Sequence, residues 1–168
     1  MNIFGASETI MLETKRLRIE WEGPISVEGV KEKIGNDDFG LYQIYARHVV
    51  FGAGALVYIG KAQEQTFAAR FRQHWEDWLR LQSDVSVHLG RLNVGDFPSN
   101  DDWQEWRLLL CDAEKLTVVW HAPPYNSHFI NDYNGRNLHI QNFGNRGSLL
   151  PEYTSHWPPL RPDDNAAE

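Results

Sequence analysis

The sequence predicts an α/β (α+β) fold: a small, mainly antiparallel central sheet flanked by helices, with N- and C-terminal extensions. Three observations carry that expectation. Short β-rich runs recur along the chain, at Leu17–Trp21, Leu41–Ala46, Leu56–Ile59, Val85–Leu89 and Leu138–Phe143. Two longer stretches, after Thr66 and after Asn100, instead place aromatic and apolar residues at helical spacing. The chain has 168 residues, 42% of them hydrophobic, with seven Trp, enough for one real core and too few for two ordinary ones. Residues 1–168 are therefore read as a single domain, with 1–12 and 160–168 as flexible ends.

Each element has a local reason. Leu17-Arg18-Ile19-Glu20-Trp21 alternates apolar and charged side chains, as a half-buried strand does, and Gly23-Pro24 punctuates it. Val27, Val30 and Ile34 are spaced for a helix that Ser26 can cap and Gly35-Asn36 can stop. The next two β-rich runs are separated by a loop holding Gly52 and Gly54, so a hairpin is expected. Thr66 then caps a helix whose stripe is Phe67, Phe71, Trp75 and Trp78. At about 100° per residue, Arg70 and His74 fall together at the margin of that stripe. Ser99-Asn100-Asp101-Asp102 is an acidic, capped helix start suited to the positive end of the dipole. Trp103, Trp106, Leu110 and Ala113 make its buried side, and Glu114 shares that side unless the helix breaks near Asp112. A carboxylate there is costly unless it is paired or holds a metal. Pro158 onward reads as tail.

Composition narrows the function classes. No run of about 18 apolar residues is present, and Met1–Met11 lacks the basic-then-apolar pattern of a secretory signal. The single cysteine, Cys111, excludes an internal disulfide and a multi-cysteine zinc site, and is read as core. A reducing, cytoplasmic setting is expected. The formal net charge of −7 argues against binding nucleic acid by bulk electrostatics. Lys61–Arg91 holds five Lys/Arg against four Asp/Glu, so no basic patch is visible in linear sequence. His121, His128, His139 and His156 lack paired metal-ligand spacing, and Arg136, Arg146 and Arg161 are read as surface solubility. No tandem repeat, helix-turn-helix, zinc finger or basic arm is present.

Six positions stand out for their chemistry. Tyr42 and Tyr58 lie on adjacent strands, Arg70 and His74 are one helical turn apart, Glu114 is in the apolar helix, and Asn126 follows Pro123-Pro124-Tyr125. Singly, each has an ordinary reading as packing tyrosine, solvated helix residue, capping carboxylate or turn asparagine. Together and in this order, they resemble the GIY-YIG nuclease family. Gly40-Leu41-Tyr42 is similar to the first half of that name, with Leu for Ile, and Tyr58-Ile59-Gly60 matches the second half. The resemblance covers residues 38–128; the acidic surface departs from what a free-standing DNA cutter suggests.

The resemblance implies a metal-dependent endonuclease acting on duplex or structured DNA, with Glu114 holding Mg²⁺ or Mn²⁺. Tyr42 is the candidate for orienting or deprotonating the attacking water. A free phenol has a pKa of about 10, so a base role needs cationic neighbours, with Lys61 and His74 the candidates. His74 is the alternative base, directly or through Tyr42, and the sequence leaves that choice open. Tyr58 would hydrogen-bond the phosphate or water, and Arg70 would clamp the phosphate as a guanidinium fork suits. Asn126 would secure local geometry. Cutting both strands with one site per chain calls for a homodimer, two successive events or a protein partner. Two other classes compete: a catalytically inactive binding or assembly domain of this fold, and an unrelated small-molecule enzyme. The latter is favoured if Glu114 lies more than about 10 Å from Tyr42 and Arg70.

Overall fold

A computed structural model of the chain describes residues 14–33, 38–93 and 100–156. The expected flexible ends, the Gly35-Asn36 helix stop and the Ser99 cap lie outside these residues. The described elements run β1 (Lys15–Ile25), α1 (Val27–Lys31), β2 (Gly40–His48), β3 (Gly52–Ala62), α2 (Phe67–Asp77), β4 (Ser86–Asn93), α3 (Asn100–His121), β5 (Leu138–Gly144) and β6 (Glu152–Thr154). The strands form one mixed sheet ordered β3-β2-β4-β1-β5-β6. Only the β1–β5 pairing is parallel; the other neighbours run antiparallel. The fold is α+β, as the alternating and helical patterns predict.

Strand alternation sorts the core onto two faces of the sheet. One face carries Leu17, Ile19, Trp21, Leu41 and Ile59 against Trp106, Leu109, Leu110 and Ala113 of α3. The other carries Tyr42, Ile44 and Leu89 against Val27 and Val30 of α1 and Phe67 and Phe71 of α2. Phe67 and Phe71 are fully buried, each contributing roughly 1.5–3 kcal/mol of hydrophobic stabilisation, and they fix the roll of α2 on the sheet. Ser26 and Thr66 cap α1 and α2 as expected, each accepting from the backbone N–H three residues on.

Several expectations need correction. The hairpin turn is Val49-Val50-Phe51; Gly52 and Gly54 already belong to β3 and bend it with positive φ of 82° and 68°. Helix α3 runs unbroken through Asp112, so the phase that puts Glu114 inside is kept. Trp103 at its start is 47% exposed rather than buried, with its ring edge-on to Phe39 and Trp106. Cys111 is only half-buried, its thiol directed at Oε1 of Gln63. Arg136 is more than a solubilising residue, since it bridges Glu105 and Asp112 on α3. Strand β6, too short to show a period, was not legible as a strand.

Candidate active site

Tyr42 sits on the α2 face of β2 and is fully buried. Its hydroxyl lies 2.7 Å from Nε2 of His74 and accepts from Nε of Arg70 at 3.3 Å. Arg70 and His74 are one turn apart on α2, so a single helix brings both to the same phenol oxygen. His74 is expected at a half-exposed margin; instead it is 6% exposed, closed over by Tyr58, Phe71 and Trp78. The Tyr58 ring lies near-parallel to Tyr42 at 6.1 Å between centroids. Gly60 makes room for this arrangement: a Cβ there would stand 2.5 Å from the Tyr42 hydroxyl oxygen.

The electrostatics separate the two candidate bases. Burial pushes the Tyr42 phenol far above its usual value, the nearby Tyr58 adds to this, and the Arg70 hydrogen bond only partly opposes it. The cation on Tyr42 is therefore Arg70 rather than Lys61 or His74, and it does not offset desolvation in the resting chain. Burial lowers His74 to about 4, with the Arg70 charge working in the same direction, so the imidazole is neutral at ordinary pH. Burial also opposes the Arg70 charge, yet the Tyr42 hydroxyl holds its pKa above the usual value.

Glu114 reaches the site from α3, on the other face of the sheet. It is 9% exposed, and its Oε2 accepts from Nζ of Lys61 at 2.6 Å. Burial works against the Lys61 charge, but the Glu114 hydrogen bond outweighs it and raises the lysine's pKa. The two faces meet where β3 forms the sheet edge: an open cleft of about 340 Å³ is lined by Lys61, Gln63, Glu64, Gln65, Arg70 and Glu114. Glu114 thus shares a cavity with Arg70, and its charge reaches Tyr42, although the hydroxyl itself does not line that cleft.

Asn126 does not line the cleft. Its amide oxygen accepts from the Ile59 N–H at 2.9 Å and its amide nitrogen donates to the Ile59 carbonyl at 2.8 Å. With Tyr125 N donating to the Val57 carbonyl at 2.9 Å, the Pro123–Asn126 segment takes the place of a neighbouring strand along the open edge of β3. Trp78 was legible only as part of the apolar stripe. Its indole N–H donates to Nδ1 of His74 at 3.1 Å, and the signal available for this was the four-residue spacing from a candidate histidine.

The donor set at the cleft suits a hard divalent cation. Glu114 and Glu64 offer carboxylate oxygens, and Gln65 has a buried Oε1 without a hydrogen-bond partner. Among the described residues no group of three His, Cys, Asp or Glu side chains converges, so such an ion would rely on one or two protein oxygens. No described helix is long and apolar enough to cross a membrane.

No family model, curated protein or solved structure matches the chain. Its class is accordingly defined by fold and site: an α+β protein with a buried Trp–His–Tyr–Arg hydrogen-bonded line beside a cleft carrying a Lys–Glu pair.

Proposed function

We propose that this chain is a GIY-YIG-type endonuclease that hydrolyses DNA phosphodiester bonds with a divalent metal ion, working in the cytoplasm. The observation that supports it most is convergence: Tyr42, His74 and Arg70 share one phenol oxygen, and Arg70 shares one cleft with Lys61 and Glu114. Five residues of ordinary individual meaning, drawn from two strands and two helices, meet near one sheet edge. That is what a reacting centre requires and what packing alone does not.

In this mechanism the scissile phosphate enters the cleft and draws the Arg70 guanidinium onto its non-bridging oxygens. Lys61 is the second cation available to neutralise charge developing there. Arg70 keeps its Nε on the Tyr42 oxygen while its terminal nitrogens meet the phosphate; the phenol gives its proton to solvent in the cleft, and as phenolate it takes one from the water that attacks phosphorus. The phosphorus–oxygen ester bond breaks, and the leaving oxygen takes its proton from solvent. Neutral His74 hydrogen-bonds Tyr42 throughout, and Tyr58 contacts the phosphate or the water. Glu114, with Glu64 beside it, would hold Mg²⁺ or Mn²⁺, which supplies Lewis acidity at the phosphate. Seven of the fifteen described Lys and Arg side chains are already paired with a carboxylate, among them Arg47 with Asp84, Arg91 with Asp38 and Arg136 with Asp112, and the chain's formal net charge is −7. Generic phosphate binding is therefore weak, and choice of target falls to DNA structure, a homodimer or a protein partner.

A plasmid-relaxation assay with Mg²⁺ and with chelator tests the reading, using wild type, Glu114→Ala and Tyr42→Phe. Metal-dependent nicking by wild type, lost in both variants, is expected. Equal cutting by wild type and Glu114→Ala, or no cutting of any single-stranded, duplex or branched DNA or RNA, defeats it. One observation favours a second reading, an inactive binding domain: Tyr42 is sealed and Glu114 already has a partner. Tight binding of branched DNA without cleavage is its signature in the same panel.

A further inference from the structure

The hydrogen-bonded line through Tyr42 has a polarity, and counting its protons reveals it. Trp78 Nε1, Arg70 Nε, the Tyr42 hydroxyl and neutral His74 together bring four protons to it. Against these stand three acceptor sites: one imidazole lone pair and two on the phenol oxygen. One proton must therefore go without a partner inside the line.

Its location depends on the His74 tautomer. With the proton on Nδ1, the imidazole N–H faces the Trp78 indole N–H across 3.1 Å, donor against donor. Indole nitrogen accepts nothing, so that contact is purely repulsive. With the proton on Nε2, Trp78 donates to Nδ1, His74 and Arg70 both donate to the Tyr42 oxygen, and the unpartnered proton is the phenol's own. Removing that proton leaves three donors on three acceptor sites. The line is thus complementary in hydrogen bonding to the Tyr42 phenolate.

We propose that Trp78 is a positioning residue: its indole N–H fixes His74 as the Nε2–H tautomer, making the imidazole a donor to Tyr42 and leaving the phenol proton for an acceptor entering from the cleft. His74 then cannot take the Tyr42 proton through Nε2, and the base role falls to Tyr42. The assignment deepens the endonuclease reading and rests on it for the role of Tyr42, whereas the tautomer itself stands apart from any activity.

The test begins with spectroscopy on the full chain labelled with nitrogen-15, His74 being assigned by comparison with His74→Gln. Nδ1 is expected in the unprotonated range, Nε2 in the protonated range, and a scalar coupling across the hydrogen bond should join Trp78 Nε1 to His74 Nδ1. A proton on Nδ1 overturns the proposal. Because free imidazole also prefers Nε2–H, a variant completes the comparison. Trp78→Phe should abolish the coupling and move the tautomer ratio about fivefold toward Nδ1–H, the factor that one neutral hydrogen bond represents. Replacing Trp78 with its benzothienyl isostere, which keeps the shape and lacks the N–H, should do the same without a packing change. An unchanged ratio in the isostere overturns the proposal. In the plasmid assay the isostere should lower kcat with KM unchanged; wild-type kcat despite a shifted tautomer refutes the positioning role. If the tautomer is as stated and no nucleic acid is cut by wild type, the endonuclease reading fails and the tautomer assignment stands.

Discussion

Asn126 offers the sharpest test of how the site is held. Its side chain serves one backbone residue, donating to the Ile59 carbonyl and accepting from the Ile59 N–H, both below 3 Å. Asn126→Ala deletes two neutral hydrogen bonds, worth about 1 kcal/mol each, and orphans two backbone groups at a further 1–3 kcal/mol if they stay dry. Because β3 is an edge strand and the bonds are only part-buried, water can replace some of this. The expected loss is about 2–3 kcal/mol. Asn126→Asp should cost at least as much, since it keeps the acceptor but sets a carboxylate oxygen against the Ile59 carbonyl. Urea unfolding at fixed m-value measures the loss, and hydrogen exchange at the Ile59 amide shows whether it is local. A loss below about 0.5 kcal/mol with the Ile59 amide still protected refutes the edge-clamp account, because such a value is typical of surface substitutions without a partner.

Three further outcomes follow from the geometry. Gly60→Ala places a Cβ 2.5 Å from the hydroxyl oxygen of fully buried Tyr42 and 2.7 Å from the ring of half-buried Tyr58, so both must shift. A destabilisation of about 1–3 kcal/mol in thermal unfolding is expected, with unchanged stability contradicting the packing. His74 is held at about 4 against an ordinary 6.5, so between these values the unfolded chain binds a proton the folded chain refuses. Its contribution is therefore fully present above pH 6.5 and lost as pH falls, by about 2 kcal/mol between pH 7 and 5. His74→Gln should flatten that part of the stability–pH curve, and equal slopes in the two proteins contradict the burial argument. Lys61→Met frees the Glu114 carboxylate, so Mn²⁺ binding followed by calorimetry should tighten about fivefold, the equivalent of one part-buried pair; an unchanged Kd removes Glu114 as the ligand.

The parts of this molecule legible in its sequence are those that repeat. Short β-rich runs mark five of the six strands, and the Phe67–Phe71 spacing marks the face of α2. Unique contacts were not legible. Nothing local to Lys61 or Glu114 says that they pair, because they are 53 residues apart and approach from β3 and α3. Asn126 in a proline-rich loop looks like an ordinary turn residue until the open edge of β3 is placed beside it. Helical phase alone misplaces His74 for a physical reason. Helical phase puts it at the stripe's margin, but burial is decided by what covers that margin, and here Tyr58 and Trp78 close over it. Trp78, at the end of the same stripe, is both packing residue and hydrogen-bond donor, and periodicity sees only the first.

Under the proposed endonuclease reading, the resting arrangement is compatible with the chain's acidity. Each cation at the cleft already has an internal partner: Arg70 has the Tyr42 oxygen and Gln73, and Lys61 has Glu114. A phosphate arriving alone would draw the terminal nitrogen of Arg70 from Gln73, and a metal ion arriving alone would take Glu114 from Lys61. Either exchange would give up an existing charged contact for one new contact, which is close to balanced. When both arrive, the displaced Lys61 gains phosphate oxygens, and the displaced Arg70 does too, so each exchange makes the other more favourable. On that reading, a site built this way would discriminate by joint occupancy rather than by attraction at a distance. A net charge of −7 does not hinder such a site; it suppresses the loose, nonspecific binding that a basic surface would bring.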